Sequence, residues 1–556
     1  MLAVGGGEDS DAAVCDVTCS VDLHDITDCS GNVVKSCPSD QACSAGECVD
    51  PCEAAKANKS SIGCEFYSVA PATNFEGGSC FAALLANTWS TPITLHVELN
   101  GQALNLADIA RSTQGSGDNL TYQPLVNGEL AVGQVAVLFL AQDETNTAVG
   151  CPAGIKAGIS SQAGLTGTGF GKAFHLTTSA PVSAYDIFPY GGAISAVTSA
   201  TLLIPTSAWG LNYVSADGYP ALNFGSVKDT PFTQIAAAED GTVVTVKPTK
   251  AIVGAPGVAA TPAGMPQTYA LSKGQVLQFA QPSKLAGSAI SANKPISVWG
   301  GASCMNIPAL DCCCDSAHQE FLPVSALGFE HVAARYRNRM PGLDESIPWT
   351  LTGTVDGTHL SYTPEAPMGA PLTLESGQVV TFNADTPFTV QSEDAAHPIH
   401  LMSHMTSGYV VCPEDEAVPS SLQNRCGDPD FVNNVPPEQW LKSYVFLTDP
   451  TYGNTHLVFV RKLAKDGTFK DVTLDCLGVV PGFETVAPGS PYQVARVDLV
   501  TEGKPQGQCT NGLHHSESDA PFGLTVWGWD AWVSYAYPAG MNLHPLNTVI
   551  VSPEPK

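Results

Sequence analysis

Charge is scarce in this chain. Only 14% of its 556 residues are Asp, Glu, Lys or Arg, and 53 acidic residues outnumber 24 basic ones, for a formal net charge of -29. Such a surface repels phosphate backbones, and without a Lys/Arg cluster it lacks the electrostatic footprint of a nucleic-acid binder. It suits cationic partners, divalent ions or simply the solubility of a secreted protein. Long apolar runs are also missing. The longest, around 131–141, is interrupted by Gly133 and Gln134 and is too short to cross a bilayer. No segment keeps helical periodicity over several turns, which excludes a helical bundle. The first residues, Met1 to Asp11, have neither a basic start nor the apolar core of a signal peptide. The chain is therefore expected to begin at or after a processing point. Gly5 to Asp11 would serve as an acidic tether, as in a bacterial lipoprotein, although no cysteine precedes Cys15 to carry a lipid.

Turn formers are plentiful. Gly 52 and Pro 41, with Thr, Val, Ser and Ala between them, make the composition of short strands joined by turns. Eighteen cysteines point to an oxidising compartment. Eight of them fall between Cys15 and Cys64, in a stretch with almost no apolar material, so cross-links must supply the order that burial cannot. Disulfides fit this irregular spacing. The competing reading is zinc, held by the pairs Cys15/Cys19 and Cys48/Cys52 with His24.

The body repeats. A proline followed by an apolar strand occurs as Ser-Ala-Pro181-Val-Ser-Ala-Tyr185, Asn-Lys-Pro295-Ile-Ser-Val-Trp299, Ala-His-Pro398-Ile-His-Leu-Met402 and Asp-Ala-Pro521-Phe-Gly-Leu-Thr-Val526, at steps of roughly 100 to 120 residues. Proline there suits a strand start or edge. Upstream of it, Asp240-Gly241 and Asp356-Gly357 each precede alternating strand residues, a hairpin signal. The spelling Leu-x-x-Gly-Gln-Val recurs at Gly133, Gly274 and Gly377, each glycine at a turn. A linking phrase opens the next unit at Pro205, Pro323 and Pro436, with Trp209, Leu327 or Trp440 four residues on and Val214, Val332 or Val445 nine residues on. A divergent first unit starts near Cys64. The unit at 205–301 contains about seven strands, the arithmetic of a β-sandwich. The expected fold is all-β: four internal repeats of about 100–120 residues forming packed β-sandwich-like units, or alternatively a propeller-like arrangement, behind a disulfide-rich module. The expected division is a tether at 1–14, a cysteine-rich module at 15–60, the repeat domain at 61–545 and a tail at 546–556.

These phrases, with Ser199-Ala-Thr-Leu-Leu-Ile-Pro205, Cys314-Asp315-Ser-Ala-His318-Gln, Cys426-Gly-Asp428-Pro429, Thr448-Asp-Pro450-Thr-Tyr452 and Ser534-Tyr-Ala-Tyr537-Pro538, resemble the IgGFc-binding protein N-terminal domain family in its bacterial form, over about 61–545. The resemblance implies an all-β module of secreted or bacterial surface proteins, with no catalytic set attributed to it. It also implies that Cys314, Asp315 and His318 form a structural turn. Fold-level likeness alone does not name a ligand.

Five constellations carry residue types capable of chemistry. Cys304 with Asp311, Cys312, Cys313, Cys314, Asp315, His318 and Glu320 can be read as a transition-metal site or as disulfides, with Cys304 paired to one member of the triplet. Cys412 with Cys426 and Cys476 with Cys509 are neighbours that can each staple a loop. Gly164 to Lys172 imitates a phosphate loop, but Thr166 and Ala173 stand where Gly and Ser/Thr are required, so it reads as a flexible surface loop. His514, His515, Ser516 and Asp519 have the residue types of a hydrolase triad without a nucleophile elbow. Asp428, Asp430, Asn433 and Asn434 can offer oxygens to calcium, or can be solvated turn residues. Trp527, Trp529, Trp532 and Tyr535 can stack on sugar or fill a core. No catalytic, cofactor or metal residue is assigned. The expected function is a non-enzymatic secreted or cell-surface adhesion protein with an extracellular protein or glycan ligand. The alternatives are a self-associating filament subunit and, last, a metal-dependent enzyme using Cys304 to Glu320.

Overall fold

In the computed structural model the described residues are all except 1–16, 21, 29–31, 74–76, 146, 148, 193–194, 196, 218–229, 309–313, 413–424 and 555–556. The tether expected at 1–14 thus lies outside them. The cysteine-rich module carries the disulfides Cys19–Cys43, Cys37–Cys48 and Cys52–Cys64, so Cys19, Cys48 and Cys52 are not zinc thiolates. His24 stacks on Trp89, ring centroids 4.2 Å apart, and Trp89 Nε1 donates to the Ser39 carbonyl at 3.0 Å. Helix Pro51–Asn58 starts where Asp50 accepts from the amides of Cys52 and Glu53, with proline in the first turn, where its missing N–H costs nothing. Leu23, Ala42, Ala54 and Ala55 enter one core with Phe66, Phe81 and Trp89. The module is therefore docked on the first unit of the body.

After it, among the described residues, strands and loops are broken only by short helical turns such as Leu106–Ile109 and Gly408–Val411, in four units that share one pairing pattern. The second unit shows it most plainly, with strands Gly210–Val214, Pro231–Ala237, Thr242–Lys247, Gln267–Leu271, Gln275–Ala280, Ala289–Met305 and Asp315–Glu320. The long strand Ala289–Met305 belongs to two layers. Up to Ala292 it pairs with Thr242–Lys247. From Ile296 it pairs with Pro231–Ala237 and then Asp315–Glu320. Pro295 sits in the unpaired bend between these ladders, where a residue without an N–H forfeits no bond. Phe174–Phe188 does the same about Pro181, pairing with Ile93–Leu99 before it and Phe81–Asn87 after it. Gly512–Asp530 changes partner from Val472–Leu474 to Asn454–Lys462 across Pro521. In the third unit the strand is broken into Phe388–Gln391 and Ile399–Met405, and Pro398 precedes the second piece. Only there does the proline mark a strand start; elsewhere it marks a change of layer within one strand.

The same layering corrects the hairpin expectation. Gly241 and Gly357 do turn, at φ 70° and 72°. The strands they join, Pro231–Ala237 and Thr242–Lys247, pair with opposite halves of the bent strand and not with each other. A side chain explains why the linking phrase and the proline phrase travel together. Tyr213 Oη donates to the Ile296 carbonyl at 2.8 Å, His331 Nε2 lies 3.0 Å from the Ile399 carbonyl, and Tyr444 Oη donates to the Phe522 carbonyl. Each serves the carbonyl just past the proline, at the bend.

The units close into a ring. Their last strands, Ser199–Leu202, Asp315–Glu320, Asp430–Asn433 and Val533–Pro538, pack side by side in that order, and the fourth packs on the first. On the outside, the proline of each linking phrase lies against the opening glycine of the unit before it. A Cβ on Gly63, Gly210 or Gly328 would meet Pro205, Pro323 or Pro436 at 2.4, 2.4 and 2.5 Å. The fourth joint is made by the end of the chain. Ser61 N donates to the Met541 carbonyl at 2.8 Å, and Leu543 N to Lys59 at 2.8 Å. From there the tail crosses the third unit, where Leu546 N donates to the Ser325 carbonyl at 2.7 Å, and reaches the second, where Val551 N donates to Asn212 Oδ1 at 2.8 Å.

Candidate functional site

The ring axis gathers residues of two of the five constellations that the sequence marks for chemistry, those of Cys304 to Glu320 and of Asp428 to Asn434, and it uses them as structure. Cys304 is bonded to Cys314, while Cys312 and Cys313 lie outside the described residues. His318, 2% exposed, places Nε2 3.1 Å from Gln234 Oε1. Burial pushes its pKa down to about 3, so it is neutral. Glu320 accepts from the Ile204 amide at 2.8 Å and from the Ser297 hydroxyl, and its amide donates to Thr201 Oγ1 at 3.0 Å. Gln319 Nε2 bridges the carbonyls of Ala200 and Ala536, in the first and fourth units, at 2.8 and 2.9 Å. These bonds tie the strand Asp315–Glu320 to the last strands of the first and fourth units.

Asp428 and Asp430 are buried, which corrects the solvated-turn reading. Their segment runs inward to the axis instead of looping into water. Ser407 Oγ donates to Asp428 Oδ1 at 3.2 Å, Ser199 Oγ to Asp430 Oδ1 at 3.2 Å, and the Ser534 amide to Asp315 Oδ2 at 3.2 Å. Burial raises the Asp428 carboxyl to about 7 and Asp186 to about 8. Asp430 is pushed well up by burial, and Asp315 by burial reinforced by Asp428 and Asp430. Acids held protonated in a dry interior, as burial favours for Asp186, Asp315 and Asp430, avoid the large penalty of burying ionised groups.

The remaining motifs separate from chemistry one by one. Gly169–Lys172 is an edge strand paired with Gln275–Ala280, and Gln278 Nε2 donates to Gly167, so this segment is a bridge from the first unit to the second and not a flexible loop. His514 spends Nδ1 on Asp475, at 3.0 Å, and Nε2 on the Thr510 carbonyl, at 2.7 Å. His515 reaches Ser443, and Ser516 donates to the Thr473 carbonyl. No triad forms from these three residues. Asp475, Cys476 and His514 converge, but Cys476 is bonded to Cys509, as Cys412 is to Cys426. Trp527 and Trp529 are core, 1% and 2% exposed, and Tyr535 is buried beside Tyr452. Trp532 is half-buried.

A feature that the sequence reading passed over lies between the third and fourth units. Five of the seven arginines, Arg335, Arg337, Arg339, Arg425 and Arg496, line two adjacent clefts of about 380 and 360 Å³ that share Arg337 and Asn338. Arg339 is buried in an ion pair with Glu345 at 2.9 Å. Arg337 donates from Nε to Asp498 at 2.7 Å and lies 4.9 Å over Trp529. The alternation Arg335-Tyr-Arg337-Asn-Arg339 was the available signal, three cations within five residues of a chain that has few. Arg496 joins them only through the fold.

The family model described as IgGFc binding protein matches residues 199–528. The chain belongs to the IgGFc binding protein family. The match begins at the first residue of the strand Ser199–Leu202 and covers the next two units and most of the fourth, a narrower span than 61–545. No curated protein and no solved structure matches the chain. In this IgGFc binding family member, both the axis carboxyls Asp315, Asp428 and Asp430 and the five arginines of the clefts fall within the matched residues. The family is one of binding domains, and no helix among the described residues is long and apolar enough to cross a membrane.

Proposed function

We propose that this protein is a non-enzymatic, extracellular binding protein of a bacterial surface or secretion, acting in adhesion through a protein or glycan ligand. Family membership carries the reading. Two physical observations support it. Seven disulfides join all fourteen described cysteines, a state that persists only in oxidising surroundings. The carboxyls and the histidine at the axis are buried and hydrogen-bonded to serine hydroxyls, backbone amides and Gln234, so they brace a scaffold whose loops are free to present a ligand surface.

The test is a direct binding screen of the purified full chain against a glycan array and intact cells or matrix proteins, run beside gel filtration over a hundredfold range of concentration. Saturable binding by a monodisperse monomer is the expected result. Concentration-dependent growth into ordered polymers, without ligand binding, would instead favour a structural subunit.

A further inference from the structure

The cleft between the third and fourth units holds two guanidiniums that the protein itself does not neutralise at contact distance. Arg335, 9% exposed, donates only to neutral acceptors: the Asp385 carbonyl at 2.8 Å, the Tyr336 carbonyl at 2.9 Å and Asn338 Oδ1 at 2.6 Å. Arg496 donates from Nε to the Arg335 main-chain carbonyl at 2.9 Å, and both side chains line the same cleft. Among the described residues neither has a carboxylate within 4.0 Å, whereas Arg337 and Arg339 in the same segment are both ion-paired. Burial and the charge of Arg335 together lower the Arg496 pKa to about 10.

The carboxylates facing this pair are engaged elsewhere or stand in water. Asp498 is shared by Arg337 and His456, at 2.7 and 2.9 Å. Asp344 is exposed and accepts from Asn338 Nδ2 at 3.0 Å. The Asp385 side chain is exposed, and Glu484, also exposed, attracts Arg496 only at longer range. Water screens exposed carboxylates far more than it screens a buried guanidinium. Two guanidiniums lining one cleft of about 380 Å³ therefore remain short of a counter-charge, and the terminal N–H groups of Arg496, which have no hydrogen-bond partner among the described residues, are donors for one.

We propose that the Arg335–Arg337–Arg496 cleft is a binding site for a single oxyanionic group, a carboxylate or a sulfate, carried by the ligand. Guanidinium forks bind such groups through paired, charge-assisted hydrogen bonds. The net charge of -29 gives the selectivity its sense: a polyanion is repelled by the surface as a whole, whereas one isolated oxyanion pays little of that repulsion and collects the local attraction. The site does not rest on the adhesion reading, and either can fail alone.

The experiment is equilibrium dialysis of the full chain against radiolabelled sulfate and, separately, radiolabelled acetate, at constant ionic strength in chloride. One saturable site per chain is expected for at least one of them. Binding should weaken at least tenfold in Arg496→Gln and stay unchanged in Arg461→Gln, which lies outside the cleft. Circular dichroism checks the fold, and Arg337→Gln reads the same site should Arg496→Gln not fold. Sulfate binding alone points to a sulfate ester in the ligand, and acetate binding alone to a carboxylate. Absence of saturable binding by both, or equal binding by wild type and the cleft variants, overturns the proposal.

Discussion

Replacing Tyr213 by phenylalanine removes one oxygen atom and tests what holds the bend of the long strand. That oxygen accepts from the Gly210 amide at 3.0 Å and donates to the Ile296 carbonyl at 2.8 Å. Ile296 is fully buried, so its carbonyl would be left in a dry interior, and an unsatisfied buried acceptor costs about 1 to 3 kcal/mol. The amide adds less, because Gly210 is half-buried. A loss of about 2 to 3 kcal/mol is expected in urea unfolding followed by tryptophan fluorescence, with an unchanged denaturant slope. Burial raises the pKa of the hydroxyl above its ordinary value, so the loss should be the same at pH 6 and pH 9. Tyr213→His should lose less than Tyr213→Phe, because His331 does this work in the third unit. A loss under about 0.5 kcal/mol for the phenylalanine would refute the argument, since it would mean that the bend carbonyl finds another partner at no cost.

Asp186→Asn should flatten the alkaline side of the stability curve. Burial raises the Asp186 pKa in the fold to about 8, so its stabilising share is complete below its ordinary value near 4 and is lost as pH rises through about 8. From pH 6.5 to 8.5 the wild type should lose about 2 kcal/mol more than the variant in chemical denaturation. That window avoids the opposite trend of His318, whose depressed pKa removes stability as pH falls below about 6.5. Gly210→Ala places a Cβ 2.4 Å from the Pro323 ring and should cost about 1 to 3 kcal/mol by thermal melting, whereas alanine at Gly169, where no atom lies within 4 Å, should be tolerated.

Much of the unit was legible because proline and glycine act locally. The Leu-x-x-Gly-Gln-Val glycines do sit at positive φ, 68°, 71° and 76° for Gly133, Gly274 and Gly377. The stretch 205–301, read as about seven strands, holds six, because the pair expected before Trp299 is the single long strand Ala289–Met305. What local reading could not supply was partnership. Asp-Gly signals a turn but not whether the strands it joins share a layer. Cys426 to Asn434 has the composition of a wet loop, and only the meeting of four units makes it dry. Arg335 and Arg496 are far apart in sequence, so their encounter is a property of the closed ring. The pairings Cys412–Cys426 and Cys476–Cys509 were found by proximity because each closes a short local loop.

The last joint of the ring gives the protein a clock. Met541 binds Ser61 across 480 residues of chain, so the first unit waits for the last throughout synthesis. At about 5 to 20 residues per second that wait is on the order of half a minute to a minute and a half. In the unfolded chain Asp186, Asp315 and Asp430 stand in water with their charges on, whereas burial in the closed ring raises the pKa of each. The newborn chain is thus a more acidic molecule than the finished one, and completing the circle is also an uptake of protons.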